Sequence, residues 1–118
     1  MDNITHRLCE IAVKVEPVAR CRVVAALIRR NKIFAIGTNS YKSISLARRY
    51  AKHELATSTH AEIAAIHCFL RKYPERRISD YSLYVIRVLA DGKIATAKPC
   101  KGCQAAIYAF GIKDVIYT

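Results

Sequence analysis

Two short stretches of this 118-residue chain carry side chains suited to metal chemistry: His60-Ala61-Glu62 and Pro99-Cys100-Lys101-Gly102-Cys103. Each opens a segment that reads as a helix. Cysteines at i and i+3 set two sulfurs on one side of a first helical turn, close enough to share one ion. A helix N-terminus, with its unpartnered N–H groups and positive dipole end, favours thiolate over thiol. Two thiolates and one imidazole give zinc three protein ligands and leave the fourth tetrahedral position for water, which marks a catalytic rather than a structural site. Zinc brings the pKa of such a water down to about 7. Glu62 is not needed as a ligand; two residues past His60, it is placed to take the water's proton and pass it to a ring nitrogen and a departing amine. These residues point to hydrolytic deamination of an amino-substituted heterocycle, with one Zn2+ per chain held by His60, Cys100 and Cys103, and Glu62 as the proton carrier.

Plainer roles for the same residues fit less well. A redox Cys-x-x-Cys pair usually follows the first strand of its fold, whereas this one stands near the C-terminus. A structural zinc site needs a fourth ligand, and Cys9, Cys21 and Cys68 lack a partner at ligand spacing, so they read as inert core or surface thiols. His67 lies two turns past His60 on an apolar segment and reads as a packed histidine. His6 and His53 read as surface residues.

Several elements must position these groups. Ile4, Leu8, Ile11, Ala12 and Val15 form one apolar stripe of an amphipathic helix that Pro17 closes. Cys21 to Ile28 and Lys32 to Gly37 read as two antiparallel strands joined through Arg29-Arg30-Asn31-Lys32. Thr38 to Thr59 is a long basic loop with a short surface helix expected within Ser45 to Glu54. Its Tyr41, Tyr50, Lys42, Arg48, Arg49 and Lys52 read either as a substrate flap or as a solvated helix face. Thr59 and Glu62 have capping-box spacing; the helix that follows is apolar on nearly every side to Leu70, so it is expected to be buried, and Tyr73-Pro74 closes it. Arg71, Lys72, Arg76 and Arg77 read as its solvated, cationic end. Tyr81 to Ala90 is a strand, Asp91-Gly92 a turn, and Ile94 to Lys98 runs extended into Pro99. Cys103 to Phe110 is helical, Gly111 suits its C-terminal stop, and Ile112 to Tyr117 is a last strand. The order α-β-β-α-β-α-β favours a layered α/β sandwich.

Composition sets the outer bounds. Length allows one domain, residues 1–118, and 53% apolar with 25% charged residues is ordinary for a globular chain. The longest apolar runs are far too short for a membrane span, and the N-terminus lacks the order of a signal peptide. A cytoplasmic location with reduced cysteines is expected. Twenty Lys and Arg against nine Asp and Glu give a net charge of +11. That serves solubility or holds an anionic partner: nucleotide phosphate, polynucleotide or acidic protein.

His-x-Glu followed by Pro-Cys-x-x-Cys is the signature of zinc-dependent nucleobase deaminases. Average composition would bring both motifs together in such a chain about once in ten thousand, so the match is specific. From Val23 to Tyr117 the chain resembles the cytidine and deoxycytidylate deaminase superfamily. Pro99 to Cys103 followed by Ala105-Ala106-Ile107 and Gly111-Ile112 is most similar to the deoxycytidylate branch, and Asn39-Ser40-Tyr41-Lys42 before a basic insert to its small phage-type members. The resemblance implies zinc on His60, Cys100 and Cys103, proton shuttling by Glu62, and base contact by the Ala61 N–H. It also implies sugar or base contact by Asn39; Tyr41 and Lys42, on the flap reading of the basic stretch, are expected as further substrate contacts. The implied fold is a three-layer α-β-α sandwich with a mixed central sheet, in a minimal version ending at the fourth strand. Family sheets usually continue past that strand, so an open edge and a homo-oligomer are expected. The expected reaction takes a cytosine nucleotide or nucleoside, with deoxycytidylate the first choice, to its uracil form. A base in RNA or single-stranded DNA is the alternative substrate, favoured by the charge but not by aromatic content, since Trp is absent. A non-catalytic nucleotide-binding module is a further reading, against which Glu62 stands.

Overall fold

A computed structural model describes residues 3–14, 21–40, 46, 59–89 and 91–118. The expected flap residues Tyr41, Lys42, Arg48, Arg49, Tyr50 and Lys52 lie outside the described residues, as do His53 and most of the expected surface helix.

The strand pattern of period two explains the central layer. Strand β1 (Cys21–Arg29) pairs antiparallel with β2 (Lys32–Thr38) on one side and with β3 (Ser82–Leu89) on the other. The far edge of β3 is shared by two short strands. β4 (Ile94–Ala95) runs antiparallel to Arg87 and Val88, and β5 (Val115–Tyr117) runs parallel to Leu83, Tyr84 and Val85. The sheet is therefore mixed. The last strand comes fifth rather than fourth, because the Asp91-Gly92 turn, with Gly92 at φ 88°, folds Ile94 and Ala95 back onto β3.

Alternate residues feed two cores. Val24, Ala26 and Ile28 of β1, with Ile86 and Val88 of β3, meet Leu8 and Ala12 of α1 (Asn3–Ala12). Ala25, Leu27, Leu83 and Val85 meet Ile63, Ile66 and Phe69 of α2 (Ala61–Lys72), together with Ala106 and Ile107 of α3 (Lys101–Ala109). One helix below and two above make the three-layer sandwich. Leu8, Leu27, Ile66 and Phe69 are fully buried, each contributing about 1.5–3 kcal/mol through the hydrophobic effect.

Two element ends depart from expectation. Helix α1 stops at Ala12, well before Pro17: Val13 is exposed, and Lys14 N–H turns back to Ile11 O at 3.0 Å, which tightens the last turn. The N-cap of α2 is His60, not Thr59. Thr59 is held instead in a backbone bridge with Ser40, its N–H donating to Ser40 O at 2.8 Å and its O accepting from Ser40 N–H at 3.0 Å. The expected glycine stop is present: Gly111 has φ 74° and Ile112 N–H reaches Ile107 O at 3.1 Å.

Candidate active site

Two helices start side by side, and each starts with a residue able to ligate a metal. His60 caps α2 and Cys100 caps α3; both have extended backbone, and neither side chain caps its own helix. Both side chains are thereby left to the space between the helix ends. Cys103, one turn into α3, completes the group and is buried. His60 Nδ1 lies 3.5 Å from Cys100 Sγ and 3.4 Å from Cys103 Sγ, and ligand atoms of all three fall within 4.8 Å of one another.

That spacing fits zinc. Tetrahedral zinc with Zn–N about 2.05 Å and Zn–S about 2.3 Å requires an N···S separation of about 3.6 Å. The charge balance fits as well. Burial, then the Glu62 carboxylate and then Cys100, push the Cys103 thiol far above its usual range. Thiolate at this position thus calls for a cation among the donors.

Glu62 is the one acid buried among the described residues, only 6% exposed. Burial raises its pKa; its own backbone N–H, the charge of His60 and a hydrogen bond with Cys103 offset part of that. A carboxyl held above its usual range beside a metal site is suited to exchanging protons near neutral pH. The capping box does not form because the N-cap is His60, which makes Glu62 the second helical residue, while Thr59 is held in its bridge to Ser40.

The surrounding chain fixes these groups. Gly37 of β2 faces α2 so closely that an added Cβ would stand 2.4 Å from Ala61 O. Pro99 O accepts from Gln104 Nε2 at 2.8 Å, and Ala97 N–H donates to Thr118 O at 2.8 Å, so the C-terminal strand steadies the segment leading to Cys100. Sequence reasoning did not find Ala97 or Thr118, since neither carries reactive chemistry.

The expected substrate contacts are placed as follows. Ala61 is the first residue of α2, where a backbone N–H lacks an intrahelical partner. Asn39 follows β2, half-buried, and is tied to β1: its Oδ1 accepts from Val23 N–H at 3.0 Å, and its own N–H donates to Val23 O at 3.2 Å. Tyr41 and Lys42 lie outside the described residues. Cys9 and Cys68 are unbridged and stand apart from the cluster, and burial raises the Cys9 thiol. His6 is exposed and pairs with Glu10 at 2.9 Å when protonated. No helix among the described residues is long and apolar enough to cross a membrane.

Comparison with known proteins follows the same lines. The profile of the family described as "Cytidine and deoxycytidylate deaminase zinc-binding region" matches residues 2–118. No curated protein matches in sequence. Among solved structures, the dCMP deaminase of cyanophage S-TIM5 in apo form superposes with TM-score 0.64 at 22% identity, covering 99% of this chain and 84% of that one. Cytidine deaminase from Mycobacterium tuberculosis gives TM-score 0.56 at 19% identity, covering 99% and 85%. A structure from work on A-to-I editing by tRNA:A34 deaminases at the wobble position gives TM-score 0.56 at 23% identity, covering 98% and 76%. At these identities the likeness is one of fold.

Proposed function

The chain belongs to the cytidine and deoxycytidylate deaminase family and is a zinc-dependent deaminase, and from that premise we propose that it hydrolyses deoxycytidylate to deoxyuridylate and ammonia. The observation that carries the reading is the convergence of His60, Cys100 and Cys103 beside a buried Glu62. Zinc bound by the three would act as a Lewis acid that makes water nucleophilic near neutral pH. Glu62 takes a proton from the attacking water and delivers it to the ring nitrogen adjoining the amino-bearing carbon. A second transfer, to the amino group, lets ammonia leave as the C–N bond breaks. Water enters, ammonia departs, and the oxygen stays as the new carbonyl.

The Ala61 N–H is assigned to the base and Asn39 to the sugar or base, its carboxamide oriented by Val23. Tyr41 and Lys42 complete the proposed contacts. Deoxycytidylate is preferred to the free nucleoside on two grounds: the residues around Pro99 to Cys103, and a superposition with the phage dCMP deaminase at 0.64 against 0.56 for the mycobacterial cytidine deaminase. The net charge of +11 speaks for a polynucleotide substrate. Against that, the cation cluster among the described residues sits at the C-terminal end of α2, a 12-residue helix about 18 Å long. Self-association belongs to the proposal too: β5 leaves Tyr117 exposed in one cleft with Tyr108, which is 87% exposed, and Ile116 exposed on the opposite face beside Ile4.

A mass-spectrometric screen of zinc-loaded protein against deoxycytidylate, cytidylate, deoxycytidine, cytidine, adenylate and short oligonucleotides tests the substrate. Conversion fastest with deoxycytidylate is expected; conversion of oligonucleotides alone would overturn the reading.

A further inference from the structure

At the end of the sheet remote from His60, four cations line one cleft of about 240 Å3 with no carboxylate among them. Arg29, Arg30 and Lys32 frame the β1–β2 turn, and Arg76 follows α2. The fifth lining residue is Phe34.

Two of the guanidinium groups are seated on rings. Arg76 lies over Phe34 and over Tyr73, 5.2 Å from each centroid, and donates to Tyr81 Oη at 2.8 Å. Arg29 lies over Tyr81 at 5.7 Å. The rings brace one another, Phe34 standing edge-on to Tyr73 and Tyr81 at 5.7 and 5.1 Å, and Phe69 standing edge-on to Tyr81 at 4.6 Å. Tyr81 and Phe69 belong to the core, so the platform is rigid. Phe34 reaches it because the β1–β2 register shifts between Leu27 and Ile28, making Phe34 an extra residue that faces the same core as Ala35.

Cation–π contact alone accounts for Arg29 and Arg76. It does not account for Arg30 and Lys32, which line the same cleft with no ring and no ion pair among the described residues. Arg30 also has φ 52°, in a left-handed turn with Asn31 at φ 59°, where Gly, Asn or Asp is the usual choice. A strained backbone displays a charge there. Glu75 adjoins Arg76 in sequence but does not line the cleft.

We propose that this cleft is a second anion site, separate from the metal centre, that takes a ligand bearing two adjacent phosphate groups. Arginine forks bind phosphate oxygens in pairs, and four cations match the charge of two phosphates better than that of one.

Isothermal titration of the full zinc-loaded chain with inorganic pyrophosphate tests this, with inorganic phosphate and a single-stranded oligodeoxynucleotide as parallel probes. Chelation of zinc by the probe is common to all variants and cancels in their comparison. One pyrophosphate per chain is expected, bound at least about tenfold more tightly than phosphate. Arg76→Gln and Arg30→Gly should each weaken it about tenfold or more, with deaminase activity unchanged. Glycine tolerates the φ at position 30, so Arg30→Gly should melt higher than wild type while binding less. Absence of saturable pyrophosphate binding, binding insensitive to both variants, equal affinity for phosphate, or saturation by the oligonucleotide alone would each overturn the proposal.

Discussion

A Cβ on Gly37 would stand 2.1 Å from the backbone nitrogen of Ala65. Strand β2 thus rests directly on the first turns of α2, with no side chain between them, and this contact sets where His60 and Glu62 emerge. The obstructing atoms are backbone, so Gly37→Ala has to move a helix and not a flexible side chain. We expect a loss of about 2–3 kcal/mol and a fall in bound zinc. Urea unfolding and metal analysis check both; a wild-type midpoint with full zinc would contradict the contact.

Glu62→Gln keeps the size of a buried side chain and removes its proton chemistry. Zinc content should stay at one per chain, while kcat falls by about 10²–10⁴. Loss of zinc in this variant would place Glu62 among the ligands instead.

Metal removal should act through Cys103 and His60, since their donors stand 3.4 Å apart and belong to different helices. Chelation is expected to lower the melting temperature. The loss is about 4 kcal/mol where free zinc had stood a thousandfold above its dissociation constant. Cys103→Ala should start from the lower value and show no further response to chelator, measured by thermal denaturation with and without added zinc.

Thr118 holds the approach to Cys100 twice: its O accepts from Ala97 N–H and its Oγ1 donates to Ala95 O, both at 2.8 Å. Thr118→Val removes the second bond at a cost of about 1 kcal/mol. Deleting residues 115–118 removes both and also strips β5 from β3. Transfer of zinc to a chromogenic chelator should quicken slightly in the first variant and strongly in the second.

Asn39 offers a test that separates holding the fold from holding substrate. Asn39→Asp retains the oxygen that accepts from Val23 N–H, whereas Asn39→Ala leaves that donor without it. If Asn39 contacts substrate, kcat/KM drops in both variants, but the melting temperature drops mainly in Asn39→Ala. Equal activity in Asn39→Asp and wild type would remove Asn39 from the substrate site.

The metal cluster was readable in the sequence because each ligand sits at a helix start that its own neighbours announce. The layered α/β sandwich was readable too, from the order of its elements. Long-range pairing was not. Thr59 looks like a cap until its bridge to Ser40 is seen, and the Asp91-Gly92 turn with an extended Ile94 to Lys98 does not say that Ile94 and Ala95 pair with β3. Arg76 read as a solvated helix end; its seat on Phe34 depends on a bulge in a strand about forty residues earlier.

Deamination of deoxycytidylate in water enriched in 18O tests the central claim most directly. The product is expected to be heavier than the substrate by about 3 Da, with the label on the base, and to form about 10²–10⁴-fold more slowly with Glu62→Gln. An unlabelled product, or undiminished conversion by Glu62→Gln, would contradict it.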